Sequence, residues 1–195
     1  MTTGGSVLVV CTGNVCRSPF VQLALQRELD ARRRVGAVGI TVTSAGTGAL
    51  AGQPMDERAA AQATARGLDP RTFRARQLTP AMVAGADLVL TATRRHRGEV
   101  ATLHPRALRY VFALRDFADL AAALDPGLLE PAPPQSQARL RTVVRAVAGR
   151  RGLEPPLDAS QADVVDPFRR EDELFRQMAE EVTLALPSVV LALSS

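Results

Sequence analysis

The first apolar run of the chain, residues 6–10, has the character of a buried strand and breaks at Cys11 into a polar, glycine-containing stretch. Helical periodicity takes over from about residue 19 to residue 33. Strand-like runs return at about residues 40–44, rich in β-branched side chains, and again at 87–92 and 109–112. Between them the spacing predicts a helix over about 55–66, with Gly67 as its C′ residue, and another starting near Thr93. A last helix is expected over about 171–185, with acidic residues in the first turn, where the helix dipole favours them. This alternation predicts an α/β fold with a parallel sheet. In such sheets ligands sit at the carboxyl ends of the strands, near a switch in strand order.

One stretch, from about residue 118 to 162, fits the alternation least. Pro131, Pro133, Pro134, Pro155 and Pro156 bracket a piece that starts with Ser136 as a possible cap. Inside it Leu140, Val143, Val144 and Val147 fall at helical spacing, with Gly149 as a stop. Residues 135–152 hold five arginines and no acid. Two readings follow: a docked surface helix with a solvated basic face, or a lid or docking arm beside a site.

Length and composition set outer bounds. A chain of 195 residues, 46% hydrophobic, is large enough for one well-buried domain and does not require two. No apolar stretch approaches the ~20 residues of a membrane span. The start, Met-Thr-Thr-Gly-Gly-Ser, has no charged n-region and no cleavage site, so no signal peptide is expected. Two cysteines five positions apart make a poor disulfide framework, and the expected compartment is the cytoplasm.

A net charge of +4 and a pI near 10.3 point at first to nucleic acid or membrane partners. Yet the chain has no lysine, and its 24 basic residues are all arginine, which titrates late and inflates the pI. One tyrosine and no tryptophan leave little for base stacking. Neither a nucleic-acid nor a membrane partner is expected.

The chemistry concentrates in residues 11–18, Cys-Thr-Gly-Asn-Val-Cys-Arg-Ser. A cysteine six positions before an arginine, with a glycine between and a helix start just after, describes an anion cradle with a nucleophile at its base. The backbone N–H groups of so short a loop can turn inward on one tetrahedral oxyanion. Ser18 can cap the following helix and Pro19 fits its first turn, where a missing N–H costs nothing. The helix N-terminus adds partial positive charge, and Arg17 can close the ring with a two-pronged contact. That field favours the Cys11 thiolate, the nucleophilic form.

This segment resembles the signature of the low-molecular-weight protein tyrosine phosphatases. Later segments are similar in order: Thr43-Ser44-Ala45-Gly46-Thr47, Ala86-Asp87-Leu88-Val89-Leu90, and Asp166-Pro167-Phe168 before the final helix. The resemblance covers residues 6 to about 117 and again from about 162 onward. It implies a three-layer doubly wound fold with a central four-stranded parallel sheet and flavodoxin-like topology. The chain then reads as a single phosphatase domain, 1–195, with a basic Pro-bracketed insertion at about 118–162.

The resemblance also implies roles. Cys11 is the nucleophile, Arg17 binds phosphate, and Asp166 is the general acid and then the base. Thr12, Gly13, Asn14, Val15, Cys16 and Ser18 complete the phosphate loop, with Ser18 donating to the Cys11 sulfur and Asn14 adopting the left-handed conformation of a tight loop. Ser44 is expected to hydrogen-bond toward that loop. Family members often have a histidine near Phe73 that joins this network, and phenylalanine cannot. Cys16 is either a small loop-filling side chain or, as in the family, a partner for Cys11 in a protective disulfide.

Leu50 and Phe168 take the places of the aromatic walls of a phosphotyrosine slot. Val15 stands where relatives that hydrolyse phosphoarginine carry threonine, which favours an aryl phosphate. The expected substrates are a phosphorylated protein or a small aryl phosphate, with no cofactor and no metal. His96 and His104 lack metal-ligand spacing to a carboxylate or cysteine. The alternatives are a protein phosphoarginine phosphatase and a non-catalytic phospho-ligand module, the latter disfavoured because Cys11, Arg17 and Asp166 are all present. An arsenate reductase would need two further cysteines downstream of Cys16, and there are none.

Overall fold

Strand β1 (Ser6–Cys11) is buried along its length, as the inner strand of a parallel sheet with helices on both faces must be. Val7 and Val9 enter the larger core and Leu8 and Val10 the smaller one, following the period-two alternation of strand side chains. The structure is a computed structural model that describes residues 4–33, 39–125, 133–153 and 155–194. Its sheet has four parallel strands in the order β2-β1-β3-β4, where β2 is Thr41–Gly46, β3 is Leu88–Thr91 and β4 is Val111–Ala113. The expected three-layer, doubly wound topology is therefore what the chain adopts. The order reverses at β1, so the switch point lies at the carboxyl end of that strand, where Cys11 ends it.

Helices cover both faces. The larger core takes α1 (Arg17–Ala31), α2 (Glu57–Ala65), α5 (Leu114–Ala122), α6 (Gln137–Gly149) and α8 (Asp172–Ser194). The smaller takes α3 (Pro80–Ala84), α4 (Arg94–Leu103) and a 3₁₀ turn over Pro105–Arg109. A short α7 (Ala159–Ala162) precedes the Asp166 loop.

Three expectations need correction. The final helix does not stop at residue 185 but runs to Ser194, through Pro187. Proline inside a helix costs about 3 kcal/mol, but the apolar face goes on burying Leu186, Val189, Val190 and Leu193, which outweighs that cost. The fourth strand begins at Val111 rather than near Arg109, because Pro105 starts a 3₁₀ turn that uses Arg109. The lid reading of the basic segment also fails. Ser136 bridges to Gly4, Gln137 and Arg141 bond Asp87 before β3, and Arg151 donates to the carbonyls of Leu108 and Val111. Helix α6 thus passes the amino ends of β1, β3 and β4, a strand's length (~17 Å) from Cys11. It buries Leu140, Val143, Val144 and Val147 and exposes Arg141 and Arg145, as a docked surface helix should. Pro131 of the expected bracket lies outside the described residues, as do the first three residues of the chain.

Candidate active site

The loop from Cys11 to Arg17 turns its carbonyls outward and its N–H groups inward. Thr47 N–H donates to the Cys11 carbonyl, Gly48 N–H to Thr12, Leu50 N–H to Gly13 and Asp56 N–H to Val15, at 2.9 to 3.1 Å. The chain leaving β2 therefore holds the outer rim of the loop. No N–H from Thr12 to Arg17 has a protein acceptor among the described residues. A ring of unspent donors at the amino end of α1 is an anion cradle. Gly46 permits this nesting: a Cβ there would lie 2.2 Å from the Thr12 carbonyl oxygen and 3.0 Å from the Asn14 nitrogen.

Asn14 sits at φ 54°, in the left-handed region, and its buried side chain organises the loop from inside. Its Oδ1 accepts the Arg76 N–H at 2.7 Å, which fixes the amide's orientation. Its Nδ2 then donates to Ser18 Oγ at 2.8 Å and to Ser44 Oγ at 2.9 Å. Each hydroxyl, having accepted, gives its own proton onward: Ser44 to Gln22 Oε1 at 2.7 Å, and Ser18 to Cys11 Sγ at 2.9 Å. Ser18 is thus not the helix cap. The helix starts at Arg17 with Cys16 before it and no side-chain cap, while Pro19 still lies in the first turn. Arg76 adds two contacts from its guanidinium to the Ser44 carbonyl, bracing the side on which Phe73 is only packing.

Asp166 faces the cradle. Its Oδ2 lies 2.8 Å from Arg17, whose side chain is 6% exposed against 54% for the aspartate. The loop that carries it is anchored just upstream. Asp163 Oδ1 accepts the Arg94 N–H at the start of α4, Val164 N–H donates to the Ala92 carbonyl, and Val165 N–H donates to Glu181 Oε2. Asp163, a second carboxylate three residues away, is committed to the helix end. Cys11, Thr12, Gly13, Val15, Cys16, Arg17, Leu50, Asp166 and Phe168 come together around one cleft of about 160 Å³. All the expected loop, wall and acid positions thus converge, with Asn14 and Ser18 directly behind them.

The environment separates the two cysteines. Both are free thiols. Burial, and next the Asp56 charge, push the Cys16 thiol well above its ordinary range, so it stays protonated. His96 is the residue the sequence reading missed. It is 3% exposed, with Nε2 at 2.8 Å from Thr12 Oγ1 and Nδ1 at 2.7 Å from Thr93 Oγ1. Burial, and then the nearby Arg17 charge, lower its pKa to about 4. Among the described residues no cluster of three or more His, Cys, Asp or Glu could hold a metal, and no helix is long and apolar enough to cross a membrane.

Fold and geometry together define a class: a doubly wound sheet with a cysteine-and-arginine anion cradle at its switch point. Comparison with known proteins gives the family. The model of the low molecular weight phosphotyrosine protein phosphatases matches residues 6–152, and the chain belongs to that family of cysteine-dependent hydrolases. It is 39% identical over 109 residues to the probable low molecular weight protein-tyrosine-phosphatase EpsP of Ralstonia nicotianae, covering 56% of this chain and 70% of the relative. Among solved structures, the Erwinia amylovora tyrosine phosphatase AmsI aligns at a TM-score of 0.68 with 22% identity, over 99% of this chain and 95% of that one. The YwlE arginine phosphatase of Geobacillus stearothermophilus aligns at 0.65 with 21% identity, over 96% and 91%. These two likenesses are of fold.

Proposed function

We propose that the protein hydrolyses phosphate monoesters of phenolic oxygen, phosphotyrosine in proteins or small aryl phosphates, through a cysteinyl-phosphate intermediate. The observation that carries this reading is the convergence of Cys11, the unspent loop N–H groups, Arg17 and Asp166 on one cleft walled by Leu50 and Phe168.

A phosphate dianion entering the cradle accepts from the loop N–H groups and competes with Asp166 for Arg17. The same donors match the equatorial oxygens of the in-line transition state. Cys11 sulfur attacks phosphorus, the P–O ester bond breaks, and Asp166 protonates the departing phenolic oxygen. The Asp166 carboxylate then takes a proton from water, whose oxygen attacks the phospho-cysteine. The P–S bond breaks, releasing inorganic phosphate and restoring the thiolate and the acid.

The chain also reads as one domain in which the segment at about 118–162 is an insertion, its helix α6 remote from this chemistry and its last residues, α7, leading into the Asp166 loop. Val15 presents an apolar surface to the cleft and no hydroxyl, which supports the aryl over the phosphoarginine reading. Phosphate release from phenyl phosphate, a phosphotyrosine peptide and phosphoarginine, measured side by side, tests this. Turnover on the first two and little on the third is expected. Preference for phosphoarginine would replace the reading, and oxyanion binding with no turnover on any would reduce the protein to a phospho-ligand module.

A further inference from the structure

The loop is braced from two sides, and the mechanism above uses only one of them. On the α1 side, Asn14, Ser18, Ser44, Gln22 and Arg76 fix the middle of the loop and the Cys11 sulfur. On the other side, the residue directly after the nucleophile, Thr12, reaches across to His96 on α4.

With Thr93 as the donor to the ring, the contacts form one directed chain from α4 to the loop. Thr93 Oγ1 already accepts the His96 backbone N–H at 3.2 Å, as the cap of α4. Its own proton needs an acceptor, and His96 Nδ1 lies 2.7 Å away. A buried, neutral imidazole that accepts at Nδ1 carries its proton at Nε2. Nε2–H therefore donates to Thr12 Oγ1 at 2.8 Å. Thr12, having accepted, keeps its own hydroxyl proton free, on a residue that lines the cleft beside Cys11. The order Thr93 to His96 to Thr12 runs one way and ends at the anion cradle.

We propose that His96 is a positioning residue for this site: it locks the Thr12 side chain so that the loop's first peptide and the Thr12 hydroxyl proton are set toward the bound phosphate. The inference deepens the reading above and rests on it for the identity of the bound group. Sequence spacing could not reveal it, because 84 residues separate the two partners.

The test combines Thr12→Val, which keeps the β-branched shape without the hydroxyl, with His96→Ala and His96→Gln, whose terminal amide reaches the Nε2 position. Inorganic phosphate affinity is measured by calorimetry, and kcat and KM on nitrophenyl phosphate in parallel. Thr12→Val and His96→Ala should each weaken phosphate binding by about tenfold, and the double variant should be no worse than either alone. His96→Gln should recover most of the loss. Strictly additive losses, or a His96→Ala protein that melts earlier yet binds phosphate within twofold of the parent, would overturn the assignment. If the parent binds phosphate with this coupling but hydrolyses no ester, the proposed activity falls and the positioning role stands. Full hydrolysis without coupling gives the reverse.

Discussion

The two ends of the sheet carry the same kinds of residue in opposite arrangements. At the carboxyl end the arginine is buried and the acid exposed: Arg17 is 6% accessible and Asp166 54%. At the amino end the acid is buried and the arginine exposed: Asp87 is 2% accessible and Arg141 60%. Asp87 is fully spoken for, accepting from the Ser6 N–H, the Ser6 hydroxyl, Gln137 and Arg141. Arg17 sits in a ring of N–H groups with no protein acceptor and is met by one carboxylate that water can reach. A buried charge satisfied by its own chain is a joint. A buried charge whose partner can leave is a binding site. The difference lies in which member of the pair is buried.

The comparison can be broken by removing each end's members in turn. The largest effect belongs to Cys11→Ser, expected to lower turnover of an aryl ester by about 10⁴-fold or more while phosphate still binds. Substantial residual turnover would move the nucleophile elsewhere. Next, Asp166→Asn should slow phenyl phosphate hydrolysis by about 10²- to 10³-fold and nitrophenyl phosphate far less, because a good leaving group departs without a proton. Asp163→Asn should leave that leaving-group dependence intact, since it holds the Arg94 N–H instead. Equal loss on both esters in Asp166→Asn would mean that Asp166 only shapes its loop.

The amino end should answer in stability and not in rate. Asp87→Ala removes the acceptor shared by the Ser6 N–H, Gln137 and Arg141 and is expected to cost ~3 kcal/mol, a melting-point fall of roughly 6–12 °C, with kcat/KM on nitrophenyl phosphate unchanged. Arg141→Ala, at an exposed partner, should cost no more than ~1 kcal/mol. Calorimetry and kinetics on the same preparations decide whether the two ends are as independent as they look.

A pH profile sharpens the contrast from the carboxyl end. His96 has its pKa lowered to about 4 in the folded protein, against about 6.5 when unfolded. Between those values the unfolded chain binds a proton that the folded chain refuses, so ν_U exceeds ν_N and stability rises with pH. The contribution is complete above pH ~6.5 and is lost as pH falls toward 4, amounting to no more than ~3 kcal/mol. His96→Gln should flatten that part of the curve, read from denaturation midpoints at several pH values.

What could be seen in the sequence was what is local. The apolar run before Cys11, the loop with its arginine, and the Asp-Pro step are each contiguous, and each lies where expected. So does α6, whose cap at Ser136 and buried stripe are contained within one helix. Other features were hidden by distance. Ser18 reads as a cap from its neighbours alone, and only the approach of Asn14 and Cys11 assigns its hydroxyl elsewhere. Arg76, from the loop before α3, and His96, on α4, join the site with no motif to announce them, and Gln22 joins it from within α1. The last helix runs past its expected end at residue 185 because packing along α8 overrules the local breaker Pro187. Helix α3 does carry a local sign, Thr79 as its cap before Pro80.

The outward carbonyls of the loop bear on how the site could be transplanted or assembled. Their four partners come from residues 47–56, beyond β2, and Gly46 must be bare for the two segments to meet. The eight residues from Cys11 to Ser18 are therefore not a portable module. Grafted onto another strand-to-helix turn, they would carry the thiol and the guanidinium but not the curvature that gathers the N–H groups. During folding the same dependence sets an order: β2 must dock on β1 before the cradle exists, so oxyanion binding should emerge only after that pairing is complete.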